Sequence, residues 1–160
     1  MKTQIEIQST AGMFLASFSE AGLAGLTFPS RRRSGRSRSQ QSVPSAWIEL
    51  TRKAVDAVLR GNAPAALPPL DLSHATDFQR SVWKALQEIP CGSTQSYAGI
   101  ATRLRKPNAA RAVGNACGAN PIPLLIPCHR VLANGQRLGG FSGGLEWKQR
   151  LLTVEGIAFR

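Results

Sequence analysis

Cys128 and His129 stand side by side at the end of a segment carrying Pro121, Pro123 and Pro127. The prolines deny this stretch regular backbone hydrogen bonds and hold the cysteine on a stiff, irregular path. A thiol becomes a strong nucleophile only as the thiolate, and a nearby imidazole can take its proton. Adjacent side chains in an extended segment point apart, so His129 is expected to reach Cys128 through a water or a bend. A carboxylate on the other ring nitrogen would complete a triad-like relay. Downstream of the cysteine only Glu146 and Glu155 can supply one. Arg130 and local helix ends are expected to favour the thiolate further. The plainer alternative is a buried cysteine beside a surface histidine.

Metal chemistry has less support. The three cysteines, Cys91, Cys117 and Cys128, form no C-x-x-C, and His74 and His129 are far apart in sequence. An odd number of cysteines also argues against a disulfide framework. Cys91 and Cys117 read as structural.

The elements that must position this segment divide at a proline-rich linker, Asn62 to Ala75. Before it, Ile5 and Ile7, then Met13 to Phe18, then Leu23 to Phe28 read as three short strands. Turns at Gly12 and Ala21-Gly22 make them an antiparallel meander. Residues 30–45, rich in Ser and Arg, read as a solvated loop, with a DNA tether or nuclear address as alternatives. Trp47, Leu50, Ala54, Val55, Val58 and Leu59 recur with helical period, and Gly61 stops that helix.

The second half reads as mainly helical. Thr76 and Gln79 form a capping box ahead of Phe78, Val82, Trp83, Leu86 and Ile89, and Pro90-Cys91-Gly92 ends that helix. Ser96 can cap a short helix from Tyr97 to Leu104. After Lys106-Pro107, a further helix is predicted from about Asn108 to Cys117. Two short helices joined by a tight turn outline a helix-turn-helix, the second being the reading helix. That second helix is nearly all Ala, Gly and Asn around Arg111. Small side chains would let it approach a groove, and one Arg could enter the base stack. Close packing on another helix would produce the same composition. The expected fold is α+β: a domain over 1–70 with a three-stranded sheet and helix, then a helical domain over 74–160.

Composition supports this reading. At 160 residues the chain can bury a real core, and 42% apolar residues fit a globular protein. No stretch approaches a membrane span, and the opening residues do not resemble a signal peptide, so a cytoplasmic location is expected. The net charge is +11 and the pI is near 11.1. Beyond residue 91, only Glu146 and Glu155 oppose Arg103, Arg105, Lys106, Arg111, Arg130, Arg137, Lys148, Arg150 and Arg160. Such an excess suits a polyanionic partner, because cations that replace counterions on a phosphate backbone gain entropy for the complex.

With those residues in place, a resemblance is plain. Pro127-Cys-His-Arg-Val131, with Asn120 before it and Gly139-Gly-Phe-Ser-Gly-Gly144 after it, resembles the active site of the O6-alkylguanine-DNA alkyltransferases. The likeness runs from about Phe78 to Gly156. It includes Val82-Trp-Lys-Ala-Leu86, Ile89-Pro-Cys-Gly92, Ser96-Tyr97, Ala110-Arg-Ala-Val-Gly114 and Leu151-Leu-Thr-Val-Glu-Gly156. Any one of these is weak; their order and spacing together are specific.

The resemblance implies irreversible, stoichiometric transfer of an alkyl group from O6-alkylguanine in double-stranded DNA to Cys128, without a cofactor. It implies His129 as the base acting through water, Glu155 orienting it, and Asn120 bracing the turn. Arg111 would replace the flipped nucleotide, with Ala110, Gly114 and Arg130 also at the DNA. Tyr97 would press on the phosphate and donate to the purine ring. Val131, Phe141, Ser142 and Gly143 would line the guanine pocket. A monomer is expected; O4-alkylthymine as a second substrate and cooperative binding on DNA are left open. Phe141 departs from the tyrosine of many relatives, and fraying of the chain after Glu155 is expected to weaken its hold on His129.

Three rivals remain. An alkyltransferase-like lesion binder lacks the acceptor cysteine, so Cys128 speaks against it. A sequence-reading regulator needs side chains that reach base edges, and the Ala/Gly-rich helix offers few. A cysteine hydrolase would leave the basic surface without a purpose.

Overall fold

The computed structural model describes residues 2–30 and 42–160. Most of the Arg/Ser-rich loop expectation falls on residues 31–41, outside the described residues. The first region is the expected meander: β1 (Thr3–Ser9), β2 (Gly12–Phe18) and β3 (Leu23–Thr27), antiparallel in the order β1-β2-β3. Alternation puts Phe14, Ala16 and Phe18 of β2 on one face, all essentially unexposed. Helix α1 (Ser45–Leu59) buries Ala54, Val55, Val58 and Leu59 and packs on β1. Two faces that are each apolar on one side thus cover one another.

The linker is more ordered than its prolines suggest. Leu23 donates its N–H to the Pro69 carbonyl at 2.8 Å, and Asp71 donates to the Leu23 carbonyl at 2.8 Å. Residues 69–71 therefore run along the free edge of β3 in a parallel bridge at Leu70. Pro68 and Pro69 lack donors, which keeps this edge short.

Helix α2 (Asp77–Gln87) starts with the full capping box of Thr76 and Gln79 and buries Val82, Trp83, Ala85 and Leu86. Trp83 donates its ring N–H to the Ala116 carbonyl at 2.8 Å, docking α2 on α4 (Ala110–Gly118). Ser96 caps α3 (Tyr97–Arg103), which packs against α4. Two features lay outside the sequence reading. Gln95–Ser96 (β4) pairs in parallel with Val131–Leu132 (β5), bringing the start of α3 beside the cysteine segment. Helix α5 (Leu145–Val154) then closes the molecule with Lys148, Leu151 and Leu152 buried. One contiguous cluster of buried side chains runs from Ile7 on β1 to Leu151 on α5. No helix among the described residues is long and apolar enough to cross a membrane.

Candidate active site

Cys128 opens a single 3-10 turn, Cys128–Arg130, rather than lying in an extended segment. Pro127 cannot donate, and Arg130 instead donates its N–H to the Pro127 carbonyl at 3.1 Å. The chain from 120 to 127 doubles back with Leu124 at φ 75, a conformation that a branched side chain rarely adopts. Asn120 holds it there. Its amide donates to the Ile126 carbonyl at 2.8 Å, and its oxygen accepts from the Ile122 N–H at 3.0 Å. Leu26 of β3 also donates to the Pro121 carbonyl at 2.9 Å, so the sheet edge grips the same turn.

His129 is fully buried, and its Nε2 lies 3.0 Å from Glu155 Oε1. A carboxylate only accepts, so Nε2 carries the hydrogen. Nδ1 is left with a free lone pair, buried and without a hydrogen-bond partner among the described residues. Burial, with the nearby Arg130 and Lys148 charges, pushes the His129 pKa down against the pull of Glu155, so the ring is neutral at pH 7. Burial alone would raise the Glu155 carboxyl. Hydrogen bonds from His129 and Arg130 outweigh that and hold it at about 2.

Arg130 is not at a DNA-facing surface. It is 6% exposed, and its guanidinium meets Glu155 at 3.1, 3.0 and 2.8 Å while donating to the Ile89 carbonyl at 2.9 Å. With these donors engaged on Glu155 and Ile89, the guanidinium balances the carboxylate rather than the thiol. The Gly92 N–H adds a further donor to Glu155 at 3.3 Å. Nor does the end of the chain loosen this cluster. The Glu155 side chain is 1% exposed, and Arg160 exchanges backbone hydrogen bonds with Gln136 and Leu138.

The cation whose charge acts on the thiol is Lys148, which in the sequence reads as one more surface charge. It is completely buried and donates to the Val131 carbonyl at 2.7 Å and the Gly140 carbonyl at 3.1 Å. Burial pushes its pKa down to about 8 against the raising pull of Cys128 and Cys117. For Cys128 itself, burial raises the pKa, while Asn120 and the Lys148 charge oppose the rise. A signal existed in the sequence: Lys148, Leu151, Leu152 and Glu155 fall at helical spacing on one stripe. A charged residue on an apolar stripe marks a buried role.

A cavity of about 430 Å³ opens over the thiol, lined by Tyr97, Gly114, Cys117, Gly118, Cys128, Gly140, Phe141 and Ser142. Cys117, which the sequence reads as structural but near the reading helix, thus faces the cavity. Val131 is fully buried, and neither it nor Gly143 is among the residues that line the cavity. The Gly139 φ is +66, and a Cβ there would come 2.8 Å from the Tyr97 hydroxyl, so the loop rests directly on that ring. Burial, reinforced by Cys117 and Cys128, lifts the Tyr97 phenol to about 12 and keeps it a donor.

A second, shallower hollow adjoins the first and shares Tyr97 and Gly114 with it. Ala98, Ala110, exposed Arg111, Asn115, Ala133 and Asn134 line the rest. The two hollows join the outer face of α4 to the thiol by way of Tyr97.

Residues 77–157 match the model of the 6-O-methylguanine DNA methyltransferase, DNA binding domain, family. A methylated-DNA–protein-cysteine methyltransferase of Methanosarcina barkeri is 42% identical over 93% of this chain and 94% of its own length. One from Mycolicibacterium paratuberculosis is 54% identical over 69% of this chain and 70% of its own. The structure is similar to that of Mycobacterium tuberculosis OGT in complex with DNA, with a TM-score of 0.78 and 35% identity. That match covers 96% of this chain and 92% of the other. It is also similar to the O6-methylguanine-DNA methyltransferase of Pyrococcus kodakaraensis, at a TM-score of 0.70 and 25% identity over 98% and 100% of the chains. By its catalytic segment, its fold and its relatives along nearly the whole length, the chain belongs to the methylated-DNA–protein-cysteine methyltransferases.

Proposed function

We propose that this protein repairs O6-alkylguanine in double-stranded DNA by moving the alkyl group onto Cys128 in one irreversible turnover. The observation that carries the reading is the cavity lined by Cys128, backed by the His129–Glu155 pair and adjoining the Arg111 hollow. A base inside a duplex cannot meet a buried thiol, so the lesion must be flipped out. The α3–α4 pair acts as the helix-turn-helix, with Ala110 and Gly114 letting α4 approach the groove and Arg111 filling the gap left in the stack. Six of the nine cations beyond residue 91 then remain for phosphates, because Arg130 and Lys148 are buried and Arg103 pairs with Glu88.

The chemistry follows from the proton and charge balance. The Cys128 thiol gives its proton, through a bridging water, to Nδ1 of His129, and Glu155 stabilises the imidazolium. Lys148 stabilises the thiolate electrostatically. The sulfur attacks the alkyl carbon, the carbon–O6 bond breaks, and its electron pair passes to the purine. Tyr97 donates a hydrogen bond to the ring as that charge develops. The product is a thioether without an easy leaving group, so the cysteine is not regenerated. Phe141, Ser142 and Gly140 wall the flipped base. A monomer suffices for this arrangement, since the site is built from one chain.

A lesion-binding role without transfer is disfavoured by the cysteine itself. The test is intact-protein mass after mixing with a duplex bearing O6-methylguanine, alongside Cys128→Ala. One added methyl per molecule, mapped to Cys128 and absent from the variant, is expected. Tight binding with no change in mass would overturn the assignment.

A further inference from the structure

The glycine-rich wall of the cavity, Gly139 to Gly144, has little of its own to keep it in place. Lys148 holds Gly140 from inside, and Gly144 donates back to the Phe141 carbonyl at 3.0 Å. The outer side of the loop meets a residue from the other half of the chain. Phe28, one residue past β3, sets its ring 5.6 Å from that of Phe141 in an edge-on contact. It lies 4.9 Å from Trp147 of α5 and 5.5 Å from Phe14 of β2, so the ring is anchored on both sides. Phe28 also fills the space where Gly143 lacks a side chain. A Cβ on Gly143 would come within 2.4 Å of the Phe28 ring, closer than any real contact allows.

From this geometry we infer that Phe28, from the sheet region, sets the size of O6 substituent that the cavity admits by fixing how far the Phe141–Ser142 wall stands from Cys128. The ring touches neither the thiol nor the cavity; it is a positioning residue that acts through Phe141 and Gly143. Packed aromatic pairs hold geometry beyond what their area alone provides. A glycine-rich loop without such backing would sample wider conformations. The inference rests on Cys128 being the acceptor and on this cavity being the alkyl pocket.

The test uses the full chain and single-turnover kinetics on two duplexes of one sequence, carrying O6-methylguanine or O6-benzylguanine. The reaction amplitude reports the folded, active fraction. The ratio of the benzyl to the methyl rate constant does not depend on that fraction. Phe28→Ala is expected to raise the ratio about tenfold, the range that a pocket wall of a few methylenes controls, and Phe28→Leu to keep it near wild type. Gly143→Ala is expected to lower the ratio by driving the wall inward. In a Phe28→Ala background that effect should shrink to the milder 3.0 Å approach to the Phe141 ring, because the main obstruction is gone. An unchanged ratio in Phe28→Ala, or an equal Gly143→Ala effect in both backgrounds, overturns the inference. Should Phe28→Ala fail to fold, an unchanged ratio in Gly143→Ala overturns it instead. Failure of the wild type to take a methyl on Cys128 would remove the reading of the site itself, a separate result.

Discussion

The cavity has two walls of opposite construction. Behind Cys128, Asn120, His129, Arg130, Lys148 and Glu155 form a buried polar lattice with hydrogen bonds from 2.7 to 3.3 Å. Facing it, the Gly139–Gly144 loop is held by one lysine and by ring packing against Tyr97 and Phe28. The polar wall must hold donors and acceptors to a fraction of an ångström, because proton transfer and charge stabilisation fail with small misplacement. The packed wall need only exclude water and bound the substrate. Reactivity is therefore built where the structure tolerates least change, and selectivity where it tolerates more.

The largest way to break the polar wall is Glu155→Gln. It leaves the Arg130 guanidinium buried without its counter-charge and gives His129 only a neutral amide oxygen in place of the carboxylate, and is expected to cost about 3–5 kcal/mol. Urea unfolding would measure it, and the surviving folded fraction should also transfer methyl slowly. Lys148→Met removes the buried cation opposite the thiol. Loss of that charge, which lowers the thiol pKa against burial, should slow transfer at pH 7 by roughly tenfold or more. The pH profile of Cys128 alkylation by iodoacetamide should move to higher pH in step. A profile that stays in place would mean that Lys148 only fastens the loop.

A third effect is the acid limb of stability. His129 and Glu155 both have folded pKa values below their unfolded ones, so the unfolded chain binds more protons at acid pH. Their contribution is complete above the ordinary histidine value, near 6.5. It falls as pH drops through that value and onward to about 2. Melting temperature followed from pH 7 to pH 3 should decline accordingly, and less steeply in Glu155→Gln. The smallest effect sharpens the contrast. Arg103 and Glu88 make the same kind of ion pair as Arg130 and Glu155, but at the surface, with side chains 44% and 45% exposed. Arg103→Ala should change stability by less than about 1 kcal/mol.

Much of the fold is legible in the sequence because it is written locally. The meander shows in turn residues and alternation, α2 in its capping box, and α3 in Ser96. The thiol was conspicuous for a similar reason: its prolines, histidine and flanking motif are contiguous. What the sequence hides is set by distant contacts. Arg130 and Lys148 look like surface cations until α2, α5 and the cysteine turn close around them. The two-residue pairing of β4 with β5 has no periodicity to detect. Cys128 was expected in an extended segment, yet the Pro127 carbonyl and Arg130 N–H close a 3-10 turn there. Nothing near Phe28 in the chain announces a partner more than a hundred residues away.

The spacing within the relay has a consequence for synthesis. His129 and the carboxylate that orients it are 26 residues apart. At ordinary translation rates the thiol segment precedes Glu155 by about 1–5 s. Throughout that interval the nascent chain carries Cys128 without the carboxylate that pairs with His129. On the proposed single-turnover reaction, the thiol is thus made before the pair that would activate it can form.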